Sequence, residues 1–264
     1  MIEIAVLPDA EAVGARAADI FDRAVQSGVR TLGLATGSST DPVYAELTRR
    51  HGGRRNLYRT MQLFQLDEYI GLPVEHPERY LEVIRRSFAG PLGVPISRVQ
   101  APDAEGADPN LAGTSFELSI ANAGGIDLQL LGVGANGHIA FNEPGTPFDS
   151  RTRAVELAGQ TRRDNARFFK GDLDAVPRRA MSQGIATILS ARRILLVAIG
   201  QAKSAPVAAL VRTPPTPDLP VSALHDHPAV TMLVDLDAAS GIESDAILPT
   251  VRLSNGRSRV AGEL

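Results

Sequence analysis

Short apolar runs recur along the chain, among them TLGLA (31–35), MQLFQL (61–66), IDLQLLGV (126–133), ILLVAI (194–199) and VTMLVD (230–235). Their hydrophobicity is continuous rather than alternating, which suits strands covered on both faces and so predicts a mostly parallel sheet. Between them lie segments that fit helices: EAVGARAADIFDRAVQSG after Asp9, ERYLEVIRRSF after His76-Pro77, NLAGTSFELSIANAGG, and QAKSAPVAALV after Gly200. Alternation of this kind predicts a doubly wound α/β fold, Rossmann-like, with helices on both faces of the sheet. One domain over 1–264 is expected, with the Pro-rich 213–220 as a surface loop because strand-like sequence resumes after it. Ligands of such folds collect beyond the carboxyl ends of the strands, so the loops after these runs are where a site is expected.

Composition removes several classes of function. The chain has no cysteine, which excludes disulfides, thiolate metal sites and a cysteine nucleophile. A net charge of -3 gives no basic excess, so no nucleic-acid partner is expected. The start MIEIAVLPDAEAV resembles no secretory signal and no later run is apolar enough to span a bilayer, so no membrane partner and a cytoplasmic location are expected.

Three strand-end loops carry the chemistry. In LGLATGSST, Thr36, Gly37, Ser38 and Ser39 precede a helix expected near Asp41-Pro42. Backbone N–H groups and hydroxyls at a helix start can cradle a phosphate, and the missing Gly-Lys-Ser/Thr ending favours a sugar phosphate over ATP. The loop alone is equally compatible with an ordinary tight turn. In FQLDEYIGL, Asp67 and Glu68 end an apolar strand. Neighbours on an extended chain point apart, so at most one lines a cleft, and Asp67 is the candidate base; adjacent acids here also fit a solvated turn.

The third loop, LLGVGANGHIAFNEPG, has the Gly132-x-Gly134-x-x-Gly137 spacing of a dinucleotide fingerprint. That fingerprint must open into a helix, whereas Asn142-Glu143-Pro144-Gly145-Thr146-Pro147 places helix breakers there. The remaining reading is a glycine-lined pocket wall carrying Asn136, His138 and Glu143, in which an acid fixes the tautomer of a histidine that moves protons. His225-x-His227 has no recognisable third ligand, so no metal is expected and a loop or partner contact is preferred.

The strings LGLATGSST, FQLDEYIGL, LLGVGANGHIAFNEPGTPFDSRTR, TRRDNARFF, IGQAKS and VSALHDHP closely resemble, in order and approximate spacing, the glucosamine-6-phosphate deaminases of the glucosamine/galactosamine-6-phosphate isomerase family. The resemblance implies conversion of glucosamine 6-phosphate and water to fructose 6-phosphate and ammonia without a cofactor. It assigns ring opening to His138, orientation of that histidine to Glu143, and C2-to-C1 proton transfer to Asp67. Phosphate contacts map to Thr36, Gly37, Ser38, Ser39, Arg167 and Lys203, with Gly134 in the pocket wall, and residues 158–180 map to a mobile lid. A homo-oligomer is possible within the family.

Departures from the family pattern carry expectations of their own. Some members have aspartate at the place of Asn136; asparagine adds no charge, so a hydrogen-bonding role is expected for it. Hexameric members activated by N-acetylglucosamine 6-phosphate use a Ser-Ser pair and a lysine where this chain has Thr146, Pro147 and Val155, while Ser150, Arg151 and Arg153 remain. Weak or absent activation is expected. The alternatives are a 6-phosphogluconolactonase, which needs no base poised at C2, and a non-catalytic sugar-phosphate sensor, against which the intact Asp67, His138 and Glu143 set argues.

Overall fold

The computed structural model describes residues 1–54, 56–243 and 246–254. The domain expected over 1–264 also includes Arg55, Ser244, Asp245 and 255–264, which lie outside the described residues. The chain runs β1 (Ile2–Leu7), α1 (Ala10–Gln26), β2 (Thr31–Leu34), α2 (Asp41–His51), β3 (Gln62–Gln65), β4 (Asp67–Ile70), α3 (Tyr80–Ile84), α4 (Gly90–Leu92), β5 (Val99–Gln100) and α5 (Pro109–Asn122). It continues through β6 (Leu128–Leu131), β7 (Arg153–Glu156), α6 (Gly159–Asn165), β8 (Arg179–Ser182), α7 (Ile185–Leu189), β9 (Ile194–Ala198), α8 (Ser204–Arg212), β10 (Val230–Asp235), α9 (Leu236–Ala239) and β11 (Val251–Ser254).

Among the described residues, eight strands form one sheet in the order β11-β1-β10-β9-β6-β2-β3-β5. Every pairing in it is parallel. From β2 the chain winds outward through β3 and β5, then returns to β6 and winds the other way through β9 and β10. The reversal falls between β2 and β6, where a doubly wound sheet opens a crevice at its carboxyl edge. One apolar cluster, including Phe21, Leu47 and Phe88, covers one face, and another, including Phe64, Phe116 and Leu210, covers the other. That double coverage is why these strands read as unbroken apolar runs.

Local sequence explains the flanking helices. Asp9 caps α1 by accepting the Ala12 N–H at 2.8 Å, and Val13, Ala17, Phe21 and Ala24 form its buried stripe. The segment ERYLEVIRRSF is not one regular helix: α3 passes through a π turn at Arg85–Ala89 into α4.

A second sheet, β4-β8-β7, is antiparallel. Its own cluster joins Tyr69 and Phe141 to Leu157, Ala166, Phe169 and Val176, packing the 158–180 segment over the carboxyl edge of the main sheet. Among the described residues, no helix is long and apolar enough to cross a membrane.

The His225-x-His227 reading is corrected: both side chains are buried, not a loop or partner surface. His225 Nε2 meets the Leu210 carbonyl at 2.8 Å, and His227 Nε2 meets the Ala191 carbonyl at 2.7 Å. Each imidazole donates to a backbone oxygen that would otherwise be stranded in the interior.

Candidate active site

A cavity of about 300 Å³ opens over the carboxyl ends of β2, β3, β6 and β9. Thr36, Gly37, Ser38, Ser39, Asp67, Gly134, His138, Arg167 and Lys203 all line it. Asn136 and Glu143 are not among the lining residues and bond around His138 instead.

The loop after β2 is braced from inside: Tyr44 of α2 donates to the Ala35 carbonyl at 2.6 Å, and Thr40 Oγ1 donates to the Gly37 carbonyl at 2.8 Å. Ser39 Oγ accepts the Ile199 N–H at 3.3 Å, tying this loop to the turn after β9. Asp235, at the end of β10, accepts the Gly200 N–H at 3.0 Å and holds the turn that carries Lys203. Burial, reinforced by the Arg167 charge, lowers the Lys203 pKa from its ordinary value.

Asp67 and Glu68 point apart, as adjacent strand residues must. Asp67 lines the cavity; Glu68 is fully buried and accepts backbone N–H groups of Tyr69, Tyr80 and Leu81 at 2.9, 3.0 and 2.9 Å. It thereby pins the start of α3 against β4. Burial, with the Glu68 charge added, raises the Asp67 pKa from 3.8 to about 8.

The glycine-rich loop serves a histidine rather than a pyrophosphate. A Cβ on Gly134 would lie 2.1 Å from His138 Cε1, so the imidazole rests against bare backbone. Gly137 sits at φ +83°, the left-handed region that turns the chain back toward His138.

Asn136 Nδ2 donates to Glu143 Oε2 at 2.7 Å. A carboxylate accepts only, so the amide is fixed with Oδ1 facing His138, where it takes the backbone N–H at 3.2 Å and lies 2.7 Å from Nδ1. Nδ1 therefore carries a proton, and the neutral tautomer this selects has its lone pair on Nε2. Glu143 Oε2 is itself 3.6 Å from Nδ1, so it acts on the ring both directly and through Asn136. Burial would raise the Glu143 pKa, but His138, Thr161 and Asn136 outweigh it and lower it from 4.5 to about 2.

Several lining residues were not singled out in the sequence. Tyr69 and Tyr80 share a hydroxyl contact at 3.1 Å, and Asn165 Nδ2 donates to Tyr69 at 2.8 Å. Arg86 and Asp41 also line the cavity, where burial raises the Asp41 pKa against the opposing charges of Arg167 and Arg86. No local signal marked them, because their neighbours come from distant parts of the chain. Among the described residues, no group of three or more His, Cys, Asp or Glu side chains is arranged to hold a metal ion.

The sequence matches the family described as glucosamine-6-phosphate isomerases/6-phosphogluconolactonase over residues 9–233. The chain belongs to this family. A glucosamine-6-phosphate deaminase of Beutenbergia cavernae is 45% identical over 243 residues, covering 92% of this chain and 93% of the relative. One of Mycolicibacterium smegmatis is 44% identical, with the same coverage of 92% and 93%. Among solved structures, a monomeric glucosamine-6-phosphate deaminase superposes with a TM-score of 0.87 at 38% identity, covering 90% of this chain and 99% of that one. The 6-phosphogluconolactonase of Trypanosoma cruzi, at 17% identity and a TM-score of 0.74 over 91% and 96% of the two chains, shares the fold.

Proposed function

We propose that this chain is a glucosamine-6-phosphate deaminase, converting glucosamine 6-phosphate and water to fructose 6-phosphate and ammonia. The observation that carries this reading is one cavity lined by Asp67, His138, the Thr36–Ser39 loop and the cations Arg167 and Lys203. The family relatives named above are deaminases over nearly their whole length.

The phosphate sits against the Thr36–Ser39 loop, Arg167 and Lys203, whose remote binding energy orients the reacting carbons. Neutral His138 uses Nε2 to take the anomeric hydroxyl proton and return it to the ring oxygen, opening the ring. Glu143, 3.6 Å from Nδ1, stabilises the transient imidazolium directly by its charge, while the neutral Asn136 amide holds the ring's orientation. Asp67 then removes the C2 proton, giving an enolamine, and delivers a proton to C1. The resulting C2 imine takes up water and expels ammonia, leaving the ketose.

A buried carboxyl with a pKa raised toward neutrality suits both taking and returning a proton. A lactonase would not need such a base beside the substrate, so Asp67 favours the deaminase over that relative. The monomeric solved deaminase supports a single-chain active unit, which light scattering of the purified protein tests. The 158–180 segment is the moving cover, since it packs on the site through a small cluster of its own.

The deciding experiment is incubation with glucosamine 6-phosphate in chelator, following ammonia and fructose 6-phosphate together. Stoichiometric release of both is expected; failure to release ammonia from this substrate overturns the reading.

A further inference from the structure

The short helix α6 touches both the proton-transfer machinery and the phosphate end of the site. Thr161, buried at 3% exposure, donates its hydroxyl to Glu143 Oε1. Asn165, one turn on, donates to the Tyr69 hydroxyl at 2.8 Å, and just past the helix end Arg167 Nη2 lies 3.5 Å from Ser38 Oγ. The two oxygens of Glu143 are thus held from different sides: Oε2 by Asn136, and Oε1 by a residue of the segment that carries the phosphate-binding arginine.

We propose that Thr161 is a positioning residue that couples docking of the Arg167 arm on the sugar phosphate to orientation of the Glu143–Asn136–His138 chain. This rests on the deaminase reading. A carboxylate held at one oxygen alone can swing about its last torsion, and with it goes the amide that fixes the His138 tautomer. Held at both, it is fixed only while α6 is seated. Thr161 does not line the cavity, so it acts on the sugar through Glu143. The hydroxyl is what matters: valine keeps the shape and would place a methyl against Oε1, whereas serine keeps the donor. Phe169, stacked 5.6 Å from His76 and 5.8 Å from the Tyr69 ring, anchors the far end of the same segment, so α6 can seat without Thr161.

The test compares full-length wild type, Thr161→Val and Thr161→Ser for kcat and KM with glucosamine 6-phosphate and for competitive inhibition by inorganic phosphate. Thr161→Val is expected to lose about tenfold in kcat, a part of what a positioned proton-transfer group contributes, with KM and phosphate inhibition within about twofold of wild type. Thr161→Ser is expected to recover kcat to within about threefold of wild type. Unchanged kcat in Thr161→Val, an equal loss in Thr161→Ser, or a loss confined to KM overturns the coupling. Thr161→Ala serves the same comparison if the valine variant melts below the assay temperature. An inactive wild type would count against the deaminase reading itself, whereas an active wild type with an unaffected valine variant overturns the role of Thr161 alone.

Discussion

The amide oxygen of Asn136 lies 2.7 Å from Nδ1 of His138, closer than the Glu143 carboxylate, whose Oε2 is 3.6 Å away. The histidine is therefore oriented by a neutral group that is itself oriented by an acid. Asn136→Ala removes both links at once, and kcat should fall by about tenfold to a hundredfold with little change in KM. Asn136→Asp can still accept from Nδ1 but cannot donate to Glu143, and two carboxylates then face each other. It should retain more activity than alanine and less than wild type in steady-state assays of ammonia release.

The raised pKa of Asp67 predicts a pH profile. As the base it must be ionised, so kcat/KM should climb through neutral pH and level off above about 8. The same shift acts on stability. The folded protein holds this proton more tightly than the unfolded chain, so the stabilisation is complete below about 3.8 and is lost as pH rises through about 8. Asp67→Asn should abolish C2 proton exchange in deuterated water while still binding sugar phosphate. Its melting temperature should exceed that of wild type most clearly near pH 8, and a variant that exchanges normally removes Asp67 from its role.

Gly134 gives a steric prediction. A methyl there would overlap the imidazole of His138, with Cε1 only 2.1 Å from the new atom. Gly134→Ala should swing the ring off the cavity and lower kcat on the order of a hundredfold. The accompanying loss of stability should be about 1–3 kcal/mol, the range for overpacking, readable in a urea melt.

These residues mark where the sequence was legible. The five apolar runs named at the outset appear as β2, β3, β6, β9 and β10, because a strand buried on both faces needs no alternation to announce itself. The β4-β8-β7 sheet was not legible: DEYI, RAMS and RAVE are short and half-polar, and their pairing is decided by partners more than a hundred residues away in the case of β4. The strand IEIAVL is less legible because Glu3 interrupts its apolar run. His225 and His227 carry a metal-like spacing, but their backbone acceptors, Leu210 and Ala191, are visible only in three dimensions. Loop chemistry fared better, since Asp67, Gly134, His138 and the Thr36–Ser39 turn follow directly from strand ends. Thr161 opens TRRDNARFF, a segment whose resemblance pointed to a lid and to Arg167, and its Glu143 partner is visible only in three dimensions.

The phosphate end predicts a charge-dependent affinity. Lys203→Met removes one charge-assisted donor, so kcat/KM should fall by about tenfold to a hundredfold and inhibition by inorganic phosphate should weaken in step. Because burial and then Arg167 lower the Lys203 pKa, wild-type KM should begin to rise at a less alkaline pH than an ordinary lysine would give. A KM that is flat in wild type and unchanged in the methionine variant would place the phosphate elsewhere.

The residues that the family resemblance maps to an activator site are engaged here in the fold's own contacts. Ser150 Oγ accepts the Ile185 N–H at 3.0 Å at the start of α7, and Arg153 donates to the buried Asn142 Oδ1 at 3.0 Å. Thr146 donates to the Glu143 carbonyl at 2.7 Å, and Arg151 lies 3.5 Å from Glu117, which also accepts from Thr152 and Thr187. Val155 packs beside the Tyr69 cluster and offers no cation. Ser150 and Arg153 thus already serve internal partners, and the position of the family's lysine carries no charge. N-acetylglucosamine 6-phosphate should therefore leave the substrate saturation curve hyperbolic and unshifted. A leftward shift at concentrations below those that compete at the active site would show that these side chains exchange partners and that the lost lysine is dispensable.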